Sequence, residues 1–322
     1  MKIINDILSM ENISVDSCVA IGNFDGVHYG HQKLLKDLVR KSKKRNALSV
    51  VFTFLNHPME NKNTKSGFSF GYINNNEEKL VLFEKLGIDV VIMQEFNKNI
   101  STYSPENFVQ LLRDKLNVKE IFVGFNFSFG KGGRGNTEQL KMLGEKYNIK
   151  INEYGPILID GEVVSSTLIR KNILEGNFEK VIKLLGHPLL VVGEVIEGKK
   201  IARQLGFPTA NINVSNRLYP PFGIYGAVLQ IGEKDAPLMY GIVNVGMNPT
   251  LKPGELCLEV HILDFDKEIY GEKIYLQLLT FLREEKKFES VSKLIETISK
   301  DKERWEKFKE EMNSNGDIFK IR

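Results

Sequence analysis

The chain has 322 residues, 42% of them hydrophobic and 26% charged, with 44 basic against 41 acidic side chains and a net charge of +3. That length exceeds one small core and predicts two domains, and so balanced a charge excludes the global basic field of a nucleic-acid binder. No apolar run approaches a membrane span, and residues 1–10 lack a signal peptide's hydrophobic stretch. Cys18 and Cys257, far apart, form neither a disulfide framework nor a zinc spacing, so the expectation is a cytoplasmic protein without a membrane partner.

In chain order, an apolar strand over 18–21 enters a glycine-punctuated turn, and a helix follows with its apolar face at Leu34, Leu35, Leu38 and Val39. Residues 47–54 read as a buried strand, 56–76 as a polar loop, 77–86 as a helix and 88–93 as a strand. Ser104-Pro105-Glu106 is a helix start, the helix runs to about 116, and strand 121–124 and helix 138–147 follow. Such alternation predicts a parallel sheet with helices on both faces and ligands beyond the strands' carboxyl ends. A short helix at 178–185 ends in Gly186-His187-Pro188, which divides the chain into domains 1–186 and 187–322. Beyond it come strands at 189–195, 209–214, 224–231, 239–245, 256–263 and 274–281, separated by Gly and Pro turns, as in a small antiparallel barrel. A closing helix presents Val291, Leu294, Ile295, Ile298, Trp305 and Phe308 to that barrel; the charged stretch 300–311 reads as a solvated face.

Four stretches of the first domain carry chemistry. Gly22-Asn23-Phe24-Asp25-Gly26-Val27-His28-Tyr29-Gly30-His31 puts two imidazoles three residues apart at a helix N-terminus. Backbone amides converge there on a site suited to phosphate, and Gly30 lets a ligand approach the backbone. Residues 52–58 end a strand in His57-Pro58. Residues 123–130 run Val-Gly-Phe-Asn-Phe-Ser-Phe-Gly, with Asn126 central, and the cationic glycine loop 131–135 follows. Ser165-Ser166-Thr167-Leu168-Ile169-Arg170 offers hydroxyls at a helix start and a guanidinium one turn on, a grip for polyphosphate.

The second domain has its own centre. A basic loop from Gly198 through Lys199, Arg203 and Gly206 leads into Phe207-Pro208-Thr209-Ala210-Asn211, where Thr209 and Asn211 alternate onto one face of a strand. Two neutral oxygens suffice for Mg²⁺ that keeps waters and phosphate oxygens. In Leu256-Cys257-Leu258-Glu259-Val260-His261-Ile262 the aliphatic side chains share one face, and Cys257, Glu259 and His261 share the other.

The first-domain motifs are similar to HxGH nucleotidyltransferases in the longer form GNFDGVHxGH, and the order of motifs from about residue 18 to 301 resembles the bacterial bifunctional riboflavin kinase/FAD synthetase family. The resemblance implies a Rossmann-like parallel-sheet domain followed by a small β-barrel. Its implied reactions are phosphorylation of riboflavin to FMN and adenylylation of FMN to FAD, with ATP and Mg²⁺. It implies roles for His28 and His31 in adenylyl transfer, for Gly22, Asn23, Phe24, Asp25, Gly26 and Gly30 in the nucleotide turn, and for Asn126, Ser165, Ser166, Thr167 and Arg170 in holding ATP. In the barrel it implies Thr209 and Asn211 as metal ligands, Glu259 as the base, and Gly198, Lys199, Arg203, Gly206, Phe207 and Pro208 around the phosphates. Asn244, in a segment that looks like NxGxxPT, and Arg283, in one that looks like RxExxF, complete the set. The chain departs from the pattern at Ala202, where Gly is expected, at Asn248, where Arg is commoner, and before His57, where Asp-Pro is absent. Two rival readings share these motifs: a riboflavin kinase whose first domain is inactive or acts on another phosphate ester, and a flavin-binding regulator without chemistry.

Overall fold

The computed structural model describes residues 1–56, 71–198, 207–214, 217–247, 256–286 and 288–315. Contacts gather Met1–Phe70 with Lys79–Ser165 into one unit, and Gly71–Glu78 with Ser166–Arg322 into a second.

The first unit is built on six parallel strands: β1 (Lys2–Ile4), β2 (Ser17–Ile21), β3 (Leu48–Phe54), β4 (Val90–Gln94), β5 (Val118–Gly124) and β6 (Lys150–Tyr154). β2 is buried at every residue, as a strand covered on both faces must be. The order across the sheet is β1-β4-β3-β2-β5-β6. The chain therefore works outward from β2 and then returns to β5 on its other side, so the direction of winding reverses between β2 and β5, the point at whose carboxyl ends sheets of this kind bind ligands. The helices are α1 (Tyr29–Arg45), α2 (Asn76–Lys85), α3 (Lys98–Ser101), α4 (Pro105–Leu116) and α5 (Thr137–Tyr147). α1, α4 and α5 each stop at an asparagine in the left-handed region, Asn46, Asn117 and Asn148, where a side chain that tolerates positive φ substitutes for glycine. A hairpin of β7 (Leu158–Ile159) and β8 (Glu162–Val163) follows β6.

The elements expected from the apolar pattern are present. β1, β6 and the hairpin go beyond that expectation: β1 has three residues, and β6 is an edge strand with two exposed side chains, so neither shows an apolar run.

In the second unit, α6 (Ser166–Leu174) and α7 (Phe178–Leu185) lead into β9 (Leu189–Ile196), β10 (Ala210–Asn213), β11 (Gly223–Ile231), β12 (Met239–Met247), β13 (Leu256–Ile262) and β14 (Lys273–Glu284). These six strands close a barrel in the order β10-β13-β12-β11-β14-β9, antiparallel at every pairing. Glu78 also belongs to this unit and is fully buried against Arg217, 2.5 Å away. Burial pushes its carboxyl up and the guanidinium pulls it back, while Asn74 Nδ2 and the amides of Asn75 and Val192 donate to the same carboxylate.

The closing helix, α8 (Val291–Asn315), lies on the outside of the barrel. Trp305 is wholly buried there, in the space left by the missing side chain of Gly226, and stacks on Phe308 with ring centroids 5.6 Å apart. Trp305→Ala empties that space, and we expect it to lower the stability of the barrel unit by about 3–5 kcal/mol in a denaturant titration. The stretch 300–311 is not uniformly solvated as expected. Asp301 is buried on the same stripe as Trp305 and Phe308, four and seven residues on, and its carboxylate takes Arg283 Nε and Nη2 at 2.8–2.9 Å.

Candidate active sites

In the first unit the turn after β2 is wound into the left-handed region at Phe24 (φ 49°), Gly26 (φ 83°) and Val27 (φ 37°). For phenylalanine and a β-branched valine such angles cost about 1–3 kcal/mol each, so the surroundings must hold the turn. Gln32 Nε2 donates to the Val27 carbonyl at 2.9 Å, Thr53 Oγ1 to the Asn23 carbonyl at 3.2 Å, and the Val27 amide to the Phe24 carbonyl at 3.1 Å. The buried Phe24 ring fills the space beneath Gly22 and meets His31 and Phe83 edge to face.

The turn delivers His28 to the N-cap of α1, where Nδ1 accepts from the His31 amide at 3.3 Å. A neutral His28 thus carries its proton on Nε2. The His28 and His31 rings stack with centroids 3.5 Å apart and planes 16° apart. Burial, and then the neighbouring His28, hold the His31 imidazole well below its usual pKa, so His31 is neutral at pH 7. Its Nδ1 is buried without a partner among the described residues. Asn126 is exposed just past the end of β5, beside the end of β2 across the reversal point. A stacked pair with polar ring nitrogens, at a helix N-terminus beside the reversal point of the sheet, is equipped to stabilise negative charge on a phosphate.

In the second unit, strand register decides the site. Asn211 on β10 lies directly opposite Glu259 on β13, and Glu259 lies directly opposite Asn244 on β12. Cross-strand partners share a face, so three polar side chains form one row across three strands. This is the outer face of the barrel, because Ile242 beside Asn244 packs on Trp305. Glu259 is half-buried there, and burial first, then the nearby Glu285, push its carboxyl above the usual range. Asn244 Oδ1 is buried with no partner among the described residues. Gly198 comes so near Asn211 that a Cβ would overlap its amide. His261, two residues along from Glu259 on the same face, has Nδ1 2.9 Å from the Pro208 carbonyl and meets the Phe207 ring edge to face, which secures the approach to Thr209. Thr209 and Asn211 line one cavity with Gly198 and Tyr270. Among the described residues no group of three His, Cys, Asp or Glu side chains could hold a metal. A divalent cation at this row would therefore rely on neutral oxygens and phosphate, for which Thr209 and Asn211 are suited.

Ser165 ends the first unit, while Ser166, Thr167 and Arg170 open α6 in the second, where Arg170 Nε donates to the Gly71 carbonyl at 3.3 Å. Arg283 is held by Asp301 and lies 5.7 Å from the centre of the Phe288 ring. Lys199, Arg203 and Gly206, and with them His57, Ala202 and Asn248, lie outside the described residues.

A family model described as FAD synthetase matches residues 10–168, and one described as riboflavin kinase matches residues 185–309. A bifunctional riboflavin kinase/FMN adenylyltransferase of Buchnera aphidicola from Schizaphis graminum is 39% identical over 94% of this chain and 96% of its own length. The chain belongs to the bifunctional riboflavin kinase/FMN adenylyltransferase family. The Escherichia coli K12 member is 34% identical over 94% of this chain and 96% of its own. A crystal structure of a macrolide-efflux protein from Streptococcus pneumoniae superposes with a TM-score of 0.78 at 29% identity, over 94% of this chain and 97% of that one. No helix among the described residues of this family member is long and apolar enough to cross a membrane.

Two residues of this bifunctional chain carry no signal in its motifs. Asp301 and Lys79 are charged positions inside apolar helical stripes. Lys79 precedes Leu82, Phe83 and Leu86 by three, four and seven residues, and all four are buried. Glu285 is the acid of the RxExxF-like segment, and only the fold brings it near enough to Glu259 to raise that carboxyl.

Proposed function

We propose that each of the family's two reactions is carried out on its own fold, with 187–322 as the kinase half and 1–186 as the adenylyltransferase half. The chain is a transferase that phosphorylates riboflavin to FMN and adenylylates FMN to FAD. The matched stretches end at 168 and begin at 185, just short of that boundary, while contacts group α6 and α7 with the barrel.

In the kinase half, Glu259 takes the proton of the ribityl hydroxyl as that oxygen bonds to the γ-phosphorus of ATP and the bond to the β,γ-bridging oxygen breaks, releasing ADP. Thr209 and Asn211 hold Mg²⁺, which when bound neutralises charge on the transferring phosphates. Gly198, Lys199, Arg203, Gly206, Phe207 and Pro208 form the phosphate loop, Asn244 extends the polar row toward the flavin, and Arg283 anchors α8 beside it. The observation that carries this reading is the Asn211–Glu259 register, which sets the proposed metal ligand beside the proposed base.

In the other half the attacking group is the FMN phosphate, already anionic, so no strong base is required. Its oxygen bonds to the α-phosphorus of ATP and pyrophosphate leaves. His28 and His31 stabilise the charge, the turn of Gly22, Asn23, Phe24, Asp25, Gly26 and Gly30 accommodates the phosphates, and Asn126, Ser165, Ser166, Thr167 and Arg170 position ATP.

Incubation with riboflavin, ATP and Mg²⁺, with chromatographic resolution of FMN from FAD, tests the scheme. Both products are expected. FMN alone would favour the kinase-only reading, and neither would favour a binding protein. A second expectation concerns the base. Burial and Glu285 raise the Glu259 carboxyl, so riboflavin phosphorylation should lose activity on the acid side above the ordinary carboxylate range. Glu285→Gln should move that limb to lower pH, measured as the kcat/KM profile for riboflavin.

A further inference from the structure

The ladder between β10 and β13 pairs Ala210 with Val260, Asn211 with Glu259 and Ile212 with Leu258, and it stops at Ala210. One more step of that register would set Thr209 opposite His261. Pro208 comes next and has no N–H to donate, so the ladder has no way to continue through it. Thr209, the proposed metal ligand, therefore stands one residue outside the paired strand, where backbone pairing no longer fixes it.

A side chain takes over at that point. His261 Nδ1 lies 2.9 Å from the Pro208 carbonyl, a contact between residues 53 apart in sequence. A carbonyl oxygen only accepts, so Nδ1 carries the proton and donates. The same imidazole meets the Phe207 ring edge to face, with centroids 5.6 Å apart and planes at 77°. Thr209 is thus held from both sides, by the ladder at Ala210 and by His261 at Pro208. His261 belongs to β13, two residues beyond Glu259 and on its face. One strand therefore carries the proposed base and also fixes the residue preceding the metal ligand.

We propose that His261 is a positioning residue for riboflavin phosphorylation, whose Nδ1–H bond to the Pro208 carbonyl sets Thr209 at the distance from Glu259 that bound Mg·ATP requires. This rests on the reading of Thr209 as a metal ligand in the kinase half. Without the bond, the end of β10 frays from Thr209 outward, and part of the binding energy of Mg·ATP is spent on drawing it back.

The test uses the full chain with His261→Phe, which keeps a ring against Phe207 but has no N–H, and with His261→Asn, whose amide can donate in place of Nδ1. His261→Phe should raise the KM for Mg·ATP in riboflavin phosphorylation by about 10- to 100-fold, the usual cost of losing a group that orients a metal ligand, with a much smaller change in kcat. FAD formation from supplied FMN should be unchanged. In the ligand-free chain, hydrogen exchange at the amides of Thr209 and Ala210 should quicken in His261→Phe, a readout that needs neither metal nor turnover. His261→Asn should restore both the KM and the protection. An unchanged KM in His261→Phe, a fall in kcat alone with exchange unaltered, or a failure of His261→Asn to restore either quantity would each overturn the proposal. Thr209→Ala, measured in parallel, separates the two levels of the reading. If Thr209→Ala leaves the KM for Mg·ATP unchanged, the metal-ligand assignment itself fails. If Thr209→Ala raises it and His261→Phe does not, the positioning role alone is wrong.

Discussion

Glu259→Gln is expected to lower riboflavin phosphorylation by about 10²–10⁴-fold in kcat, the usual contribution of a positioned general base. FAD formation from supplied FMN should be unaffected. The amide keeps the size and the hydrogen-bonding reach of the carboxylate, so the cross-strand row Asn211–Glu259–Asn244 should survive, with only the basic oxygen removed. Because Glu259 is half-buried, loss of its charge should not destabilise the barrel, and an unchanged unfolding midpoint would confirm that the effect is chemical. Product chromatography with riboflavin and, separately, with FMN as substrate makes the measurement. Loss of both activities would mean the two sites are not independent.

His28→Ala with His31→Ala should do the reverse: FAD formation falls by about 10²-fold or more for the loss of the charge-stabilising groups, while FMN formation continues. The two single variants should not add. His28 Nδ1 caps the His31 amide and the rings stack at 3.5 Å, so removing either residue disturbs the other. His28→Asn separates the two functions of that residue, since asparagine can cap the helix but has no imidazole. It should retain the stability of the unit and lose activity. Full adenylyl transfer in the double alanine variant would remove the pair from the mechanism.

Much of this organisation was legible along the chain because it rests on local rules. Apolar strands alternating with amphipathic helices, then six short strands between Gly and Pro turns, specify a parallel sheet and a barrel through side-chain periodicity alone. The glycine-rich turn before His28 and the Thr209/Asn211 alternation are likewise set by residues within one turn or one strand. The short edge strands β1 and β6 escaped because an edge needs little apolar surface. Glu259 stood out as an acid in an aliphatic strand, but a strand's alternation cannot say what lies across from it.

What periodicity does not encode is partnership at long range. The register that sets Asn211 and Asn244 on either side of Glu259 depends on barrel closure, which joins strands tens of residues apart. The burial of Asp301 against Arg283 likewise follows only when a helix face finds its counterpart, since a charge in an apolar stripe is favourable solely where the fold supplies an opposite charge. By itself, then, the order of residues determined two folds and the chemical groups each would present. Their pairing, their burial and hence their protonation came from the tertiary structure, because those depend on distance through space and on the exclusion of water.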